Sequence, residues 1–188
     1  MGLAAVFIDA GYLNKVLHHE FDEVRVHYQR FAESLVDPDS LFRSYYYDCP
    51  PYQSNPPTAE EISRYSRWHR FRTSLLHMPR FEVREGRLAL RGRDANGRGI
   101  FVQKQVDCQV GVDMALLATK GKINSVALVS GDSDFLPAIA AVKQEGILVT
   151  LWHGTDQVHT RPGEHLLQIC DEVRPITKEL INKCRLRR

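Results

Sequence analysis

The chain has 188 residues, of which 43% are hydrophobic and 26% charged, and its formal net charge is +2. This length and apolar content are enough for one sizeable core and make a second full domain unexpected. The four cysteines are far apart without a C-x-x-C pair, which argues against a zinc knuckle or disulfide framework and favours a reducing cytoplasm. The apolar run at the start is shorter than a signal peptide, and no segment approaches the roughly 18 apolar residues of a membrane span.

The first half of the chain predicts alternating strands and helices. Leu3–Ile8 is a short apolar run with β-branched members, typical of a strand buried on both faces, and Asp9 follows it directly. A helix is expected from about Tyr12 to His19, and a second strand over Leu41–Tyr47. The proline-rich segment Cys49–Thr58 fits neither structure and is predicted to be a loop.

A longer helix is predicted after this loop. Thr58-Ala-Glu-Glu61 has the spacing of a capping box, and apolar residues then recur at helical intervals to about His77. We interpret its aromatic residues Tyr65, Trp68 and Phe71 as core packing rather than as a platform on which nucleic-acid bases stack.

Strand and helix signals continue to the end of the chain. Phe81–Leu90 alternates like a β-hairpin, and the Gly-, Arg- and Asn-rich Arg91–Gly99 predicts a loop. Strands and helices then alternate, which predicts parallel strands joined by crossover helices in an α/β fold. The expected elements are a helix from Val106 to about Thr119, a strand over Ser125–Ser130, a helix from about Leu136 to Gln144, a strand over Ile147–Trp152, a last strand or helix edge over Leu166–Val173, and a basic tail or helix over 176–188.

Basic residues concentrate in one part of the chain. The segment Arg64–Lys104 contains eleven Lys or Arg against three acidic residues, a local charge of +8 that leaves −6 for the rest. This division suits a protein that attracts a polyanion with one surface and binds cations with another. Arginines on a solvated helix surface are the ordinary alternative.

Acidic residues follow two of the predicted strands. Asp9 follows the first strand, and Asp132 and Asp134 follow Ser125–Ser130, so parallel strands would bring them to the same edge of the sheet. Clustered carboxylates repel one another unless a cation is present, and aspartates without His or Cys companions indicate a hard metal and a phosphate ester rather than zinc. Ser130 and Ser133 offer supporting hydroxyls.

Three motifs occur in order along the chain. They are Phe7-Ile-Asp-Ala-Gly-Tyr-Leu-Asn14, then Lys104-Gln-Val-Asp107 followed by Val112-Asp-Met-Ala-Leu-Leu-Ala118, and finally Val129-Ser-Gly-Asp-Ser-Asp-Phe-Leu-Pro137. These motifs resemble the signatures of the NYN-domain family within the PIN-like ribonucleases. The resemblance extends from residue 7 to about residue 154.

The resemblance implies a Rossmann-like three-layer sandwich over residues 1–175, with a mostly parallel central sheet, and a metal-dependent endonuclease that cuts RNA. It implies that Mg²⁺ or Mn²⁺ is held by four catalytic acids, which are Asp9, Asp107, Asp132 and Asp134. The residues expected beside the substrate are Asn14, Lys104, Ser130 and Ser133.

Several positions keep an alternative interpretation. Asp9 and Asp107 are each consistent with simple helix N-caps, and Asp132 and Asp134 with an ordinary acidic turn. Asp113 also matches a frequent family position, but it lies about 240° around an ideal helix from Asp107, so site and surface both stay open. The family commonly has Gly at the position of Gln105, which leaves the local loop conformation open.

Two other functions are compatible with parts of the sequence. One is a domain that binds RNA or a protein partner without cleaving it. The other is a haloacid-dehalogenase-like phosphatase, which requires a second acid two residues after the first, where this chain has Gly11. The sequence does not specify the oligomeric state, a protein partner, the number of metal ions or the preferred RNA.

Overall fold

The computed structural model describes residues 2–93 and 99–186, without the side chains of Arg93, Gln103 and Lys104. The strands are β1 (Leu3–Asp9), β2 (Ser40–Asp48), β3 (Phe81–Glu85), β4 (Arg87–Arg93), β5 (Gly99–Lys104), β6 (Ser125–Val129), β7 (Leu148–His153) and β8 (Glu172–Pro175). The helices are α1 (Ala10–Glu20), α2 (Tyr28–Val36), α3 (Ala59–Leu76), α4 (Val106–Thr119), α5 (Leu136–Gln144), α6 (Glu164–Ile169) and α7 (Lys178–Cys184).

The central sheet has the strand order β3-β2-β1-β6-β7-β8, and every neighbouring pair is parallel. The predicted α/β fold is confirmed. The chain adds β2 and β3 on one side of β1 and then crosses to add β6, β7 and β8 on the other side. Ile8 therefore pairs with Val129 although they are far apart in sequence. The strand order reverses between β1 and β6, and ligands of open α/β sheets bind at such a switch point.

Strand β1 separates two hydrophobic cores, as expected for a strand buried on both faces. Its even-numbered residues, including Val6 and Ile8, pack on the core that contains residues of α1, α2 and α7. Its odd-numbered residues Ala5 and Phe7 pack on the core that contains residues of α4, α5 and α6. Successive side chains of a strand point to opposite faces, so both sets are buried. Helices therefore leave the switch point on opposite faces of the sheet.

Helix α3 begins as predicted but packs less deeply. Glu61 N–H donates to Thr58 Oγ1 at 3.2 Å, and Thr58 N–H donates to the Glu61 carboxylate at 2.8 Å, which completes the capping box. Core packing was predicted for three aromatic residues, and Phe71 does pack against the core of the α1 face. Tyr65 and Trp68 lie outside both cores and contact each other, with ring centroids 5.6 Å apart. The prediction is wrong for these two residues, because α3 packs on the core through Phe71 and Leu75, near its C-terminal end.

An antiparallel hairpin is present, but its position differs from the prediction over 81–90. Strand β3 joins the central sheet, where Val83 pairs with Tyr46 in parallel. The hairpin consists of β4 and β5, with Leu90 opposite Phe101. Alternation of polar and apolar residues identifies a strand but not its partner, so the sequence pattern could not separate β3 from β4. Of the loop predicted between Arg91 and Gly99, residues 94–98 lie outside the described residues.

The final part of the chain is more regular than the sequence indicates. The segment predicted as one strand or helix edge contains α6 and β8. Helix α7 packs on α2, with Leu180, Ile181 and Cys184 buried in the core of the α1 face. Arg187 and Arg188, at the end of the basic tail, lie outside the described residues. In the described part of the chain, no helix combines the length and hydrophobicity needed to cross a membrane.

The loop that follows β7 is fixed to the end of α1 by Glu20. The Glu20 carboxylate accepts hydrogen bonds from Thr155 N–H at 2.9 Å, from Thr155 Oγ1 at 2.7 Å and from Thr160 Oγ1. Burial would raise the pKa of Glu20, but the hydrogen bonds from Thr160 and Thr155 outweigh it and lower the pKa below its usual 4.5. The charged form of Glu20 therefore stabilises the folded protein.

Replacing Glu20 with Gln is expected to destabilise the protein by about 1–2 kcal/mol at neutral pH, because charge-assisted hydrogen bonds are lost. The pKa of Glu20 is lower in the folded state, so its contribution is complete above pH 4.5 and disappears as pH falls through the folded-state pKa. Urea unfolding at several pH values should show wild type and Glu20→Gln converging at low pH. The exposed Glu145→Gln serves as control, and a pH-independent difference for Glu20→Gln would contradict the assignment.

Candidate metal centre

The switch point between β1 and β6 is where the predicted acids meet. Asp9 is the last residue of β1, while Asp132 and Asp134 belong to the turn that follows β6. Asp107 lies in the first turn of α4, on the face of the sheet toward which Phe7 points. Asp9 has the same parity along β1 as Phe7, so the pleat directs its side chain to the face that carries α4.

Three of these carboxylates form a cluster. One oxygen from each of Asp107, Asp132 and Asp134 lies within 4.8 Å of the others, and all three residues are exposed. Ligands on opposite sides of a magnesium ion are about 4.2 Å apart, so small side-chain movements would place all three oxygens on one ion. Among the described residues, no His or Cys joins the group. This donor set fits a hard divalent cation.

Hydrogen bonds within the turn after β6 orient its carboxylates. The backbone N–H of Asp132 donates to the buried Ser130 hydroxyl at 3.1 Å. The backbone N–H of Asp134 donates to Asp132 Oδ1 at 2.9 Å. The second bond fixes the Asp132 carboxylate relative to Asp134. The Ser130 hydroxyl therefore supports the turn.

Gly131 allows this turn to pass close to α1. A Cβ atom at Gly131 would lie 2.4 Å from Cε2 of Tyr12, which is closer than any real contact. Tyr12 cannot easily withdraw, because its hydroxyl donates to the Thr160 carbonyl at 2.6 Å and accepts from Gly154 N–H at 2.9 Å. Burial raises the pKa of Tyr12 to about 12, so the hydroxyl keeps the proton that it donates. This role of Tyr12 was not evident from the sequence, because its apolar spacing on α1 resembles ordinary core packing.

Asp9 caps α1 and lies near the other acids. Its Oδ1 accepts the backbone N–H of Tyr12 at 3.1 Å and caps α1, while Ser130 Oγ lies 3.5 Å from its Oδ2. Burial raises the pKa of Asp9, the Tyr12 hydrogen bond opposes that effect, and the charges of Asp107 and Asp132 add to it. Asp9 therefore lies within electrostatic reach of the cluster, deeper in the fold, although it is not one of the three mutually close acids.

Asp107 is not the N-cap of α4, since that position belongs to Gln105. Burial raises the pKa of Asp107, and the neighbouring charges of Asp132 and Asp134 raise it further. A cation at the cluster would reverse this effect, because opposite charge favours the ionised carboxylate. Without an ion, the electrostatic repulsion therefore acts among the same carboxylates that would bind it.

The remaining predicted positions lie in different settings. Asp113 is engaged away from the cluster, where it accepts from the Tyr47 hydroxyl at 2.9 Å and from Arg84 Nε at 3.1 Å. Asn14 is exposed on α1, and Ser133 is exposed in the turn after β6. The backbone of Lys104 ends β5, but its side chain lies outside the described residues.

Two acids at the same edge of the sheet were not identified from the sequence. Asp48 ends β2 and accepts from Trp68 Nε1 at 2.8 Å, and Glu85 ends β3 and pairs with Arg72. Burial raises the pKa of Asp48, while the Trp68 hydrogen bond opposes this effect. The rule that identified Asp9, an acid directly after a predicted strand, also applies to Asp48. Both acids bind side chains of α3, which is anchored through them to the sheet edge.

A carboxylate cluster at the switch point of a parallel sheet is an arrangement in which α/β proteins hold divalent cations. The chain belongs to the NYN-domain family of PIN-like ribonucleases, since the profile of the NYN domain matches residues 3–176. A solved structure of a protein of unknown function from Vibrio parahaemolyticus has the same fold, with 19% sequence identity and a TM-score of 0.64 over 98% of this chain and 96% of that one. No curated protein matches the chain significantly.

The backbone before α4 keeps a glycine-like conformation. Gln105 has φ +77° and ψ −17°, in the left-handed region that disfavours side chains with a Cβ. Gln105→Gly should therefore raise the free energy of unfolding by about 1 kcal/mol. Chemical denaturation measures the change, and Gln105→Ala, which keeps the Cβ, should give no comparable gain. Equal effects of the two substitutions would show that the backbone here is not strained.

Asp107→Asn should have opposite effects without and with metal. In EDTA the substitution removes like-charge repulsion and should raise the melting temperature. Saturating Mg²⁺ or Mn²⁺ should stabilise the wild type, by about 2.7 kcal/mol at a hundredfold excess over Kd, and the variant much less.

Differential scanning fluorimetry across a metal titration measures both effects. Asp22→Asn, on the surface after α1, removes the same charge away from the cluster and should behave as wild type. Equal metal-induced shifts in wild type and Asp107→Asn would remove Asp107 from the site.

Proposed function

We propose that this protein is a divalent-metal-dependent endoribonuclease that hydrolyses RNA phosphodiester bonds. The observation that carries this proposal is the convergence of Asp107, Asp132 and Asp134 to within 4.8 Å at the switch point of an NYN-domain chain. Carboxylates that repel each other have no benefit in a domain that only binds a polyanion. In a nuclease they create the site for a cation that offsets the phosphate charge.

In this proposal Asp9, Asp107, Asp132 and Asp134 are the catalytic metal ligands for Mg²⁺ or Mn²⁺. The bound ion supplies a Lewis acid for the phosphate and polarises an attacking water. Asp107, Asp132 and Asp134 present their oxygens to solvent, where substrate can enter. Asp9 closes the inner side of the site, held in place by the Tyr12 N–H bond. The Ser130 hydroxyl contacts both the Asp9 carboxylate and the Asp132 N–H, and so fixes the two acids relative to each other.

The basic segment provides the expected RNA surface. Arg64, Arg67 and Arg70 are exposed on α3 and form no ion pair with any described residue. Such groups hold phosphates without reading sequence. We place Asn14, Lys104, Ser130 and Ser133 among the residues beside the substrate. The expected products carry 5′-phosphate and 3′-hydroxyl ends, because the ion would supply a nucleophilic water and the bond between phosphorus and the 3′ oxygen would break, with no histidine required.

Asp132→Asn is expected to lower the cleavage rate at least about a hundredfold, because it removes a carboxylate ligand and weakens the orientation of Asp134. The assay is cleavage of a mixed panel of single-stranded and structured RNAs with Mg²⁺ or Mn²⁺, and Asp22→Asn is the control of equal charge change. Wild-type rates for Asp132→Asn would refute the site. Metal-independent RNA binding without any cleavage by the wild type would favour the binding-only function.

A further inference from the structure

A concave surface lies on the α1 face of the sheet, opposite the face that carries α4. A groove of 910 Å³ runs between α1, the segment 23–28 and α3. We call it the α1–α3 groove. Its walls include Asn14 and His18 of α1, and Arg67 and Arg70 of α3. None of the four metal-site acids lines it, so it is separate from the carboxylate cluster.

The groove carries positive charge that the protein itself does not neutralise. Arg25, Arg67 and Arg70 line it and are exposed, and none of them forms an ion pair within the described part of the chain. The acid on its walls, Glu23, already contacts His18 Nδ1 at 2.6 Å. Three unpaired guanidinium groups around one cavity attract an anion.

The floor of the groove is apolar and aromatic. It includes Leu17, Tyr28, Phe71 and Met78, and the rings of Tyr28 and Phe71 meet edge to face with centroids 5.3 Å apart. Leu17 belongs to the buried core, Tyr28, Phe71 and Met78 are partly buried and pack against it, and all four line the cavity. A simple anion requires no such floor. A nucleotide does, because it joins a charged phosphate to a flat, weakly polar base that gains by contact with aromatic side chains.

Helix α1 connects the groove to Asp9 at the end of β1. Asn14 is five residues beyond Asp9 on α1, a rise of about 7.5 Å, and Leu17 is about 12 Å beyond it. Helix α3 reaches the same edge of the sheet, where Trp68 binds Asp48. An RNA strand that crosses the end of β1 from the carboxylate cluster would therefore reach the α1–α3 groove within one or two turns of α1.

We propose that the α1–α3 groove binds a single-stranded segment of RNA next to the scissile phosphate, with Arg67 and Arg70 on its phosphates and a base against Phe71. This inference rests on the proposed ribonuclease function and locates the substrate path. It gives the arginines of α3 a specific function, whereas the ordinary alternative is a solvated helix surface.

The test compares Arg67→Ala/Arg70→Ala with Lys120→Ala/Lys122→Ala. The control removes two positive charges from the turn before β6, at the opposite edge of the sheet. Binding of a fluorescein-labelled single-stranded RNA is measured by anisotropy in the Asp132→Asn background with Mg²⁺, across a range of salt concentrations. The arginine variant should bind at least tenfold more weakly, and its salt slope should fall by about 1.4 for two lost phosphate contacts. The control should match its parent.

Substrate length provides a second measurement. The ratio of the arginine variant's cleavage rate to the wild-type rate should be lower on long single-stranded RNA than on a dinucleotide, which is too short to reach from the metal centre into the groove. Unchanged affinity and salt slope in the arginine variant, while the wild type still cleaves RNA, would overturn the groove and leave the ribonuclease function intact. A wild type that neither binds nor cleaves RNA would overturn both. Tighter binding of poly-glutamate than of RNA would overturn the proposal and indicate that the groove binds an acidic protein partner.

Discussion

Mutual repulsion among carboxylates at the junction of β1 and β6 is the constraint that the surrounding structure has to overcome. Asp107 comes from the first turn of α4, whereas Asp132 and Asp134 come from the turn after β6, which is fixed from behind. The buried Ser130 and the contact of Gly131 with the Tyr12 ring supply that support. The fold thus maintains an unfavourable charge arrangement, which is common at functional sites.

Local signals were sufficient for most of the parallel sheet. The buried runs that became β1 and β6, the capping box of α3 and the helix Val106–Thr119 are each determined by neighbouring residues, and each formed where the pattern indicated. The edge location of Asp9 and Asp132 followed from strand direction alone. The metal-site candidates could be predicted because the carboxyl ends of parallel strands lie at the same edge of the sheet, whatever structure the connecting segments adopt.

Features that depend on partners distant in sequence could not be predicted. Alternation in Phe81–Leu90 was visible, but the choice of β2 as the partner of β3 depends on where α3 returns the chain. Trp68 has apolar helical spacing, yet its indole donates to Asp48, which no periodicity reveals. Asp113 has a family-like position and nevertheless binds Tyr47 and Arg84, because its angle around α4 directs it to another strand.

The β4–β5 hairpin has a consequence for how such domains diversify. Its backbone hydrogen bonds close between its own two strands, and Leu88 connects it to the core of the α4 face. Its second strand, β5, leads through Gln105 into the first turn of α4, which carries Asp107. An insertion, deletion or change of charge in the hairpin would leave the pairing of the central sheet unaltered. Sequence changes in the hairpin therefore alter the surface beside the acids without altering the central sheet.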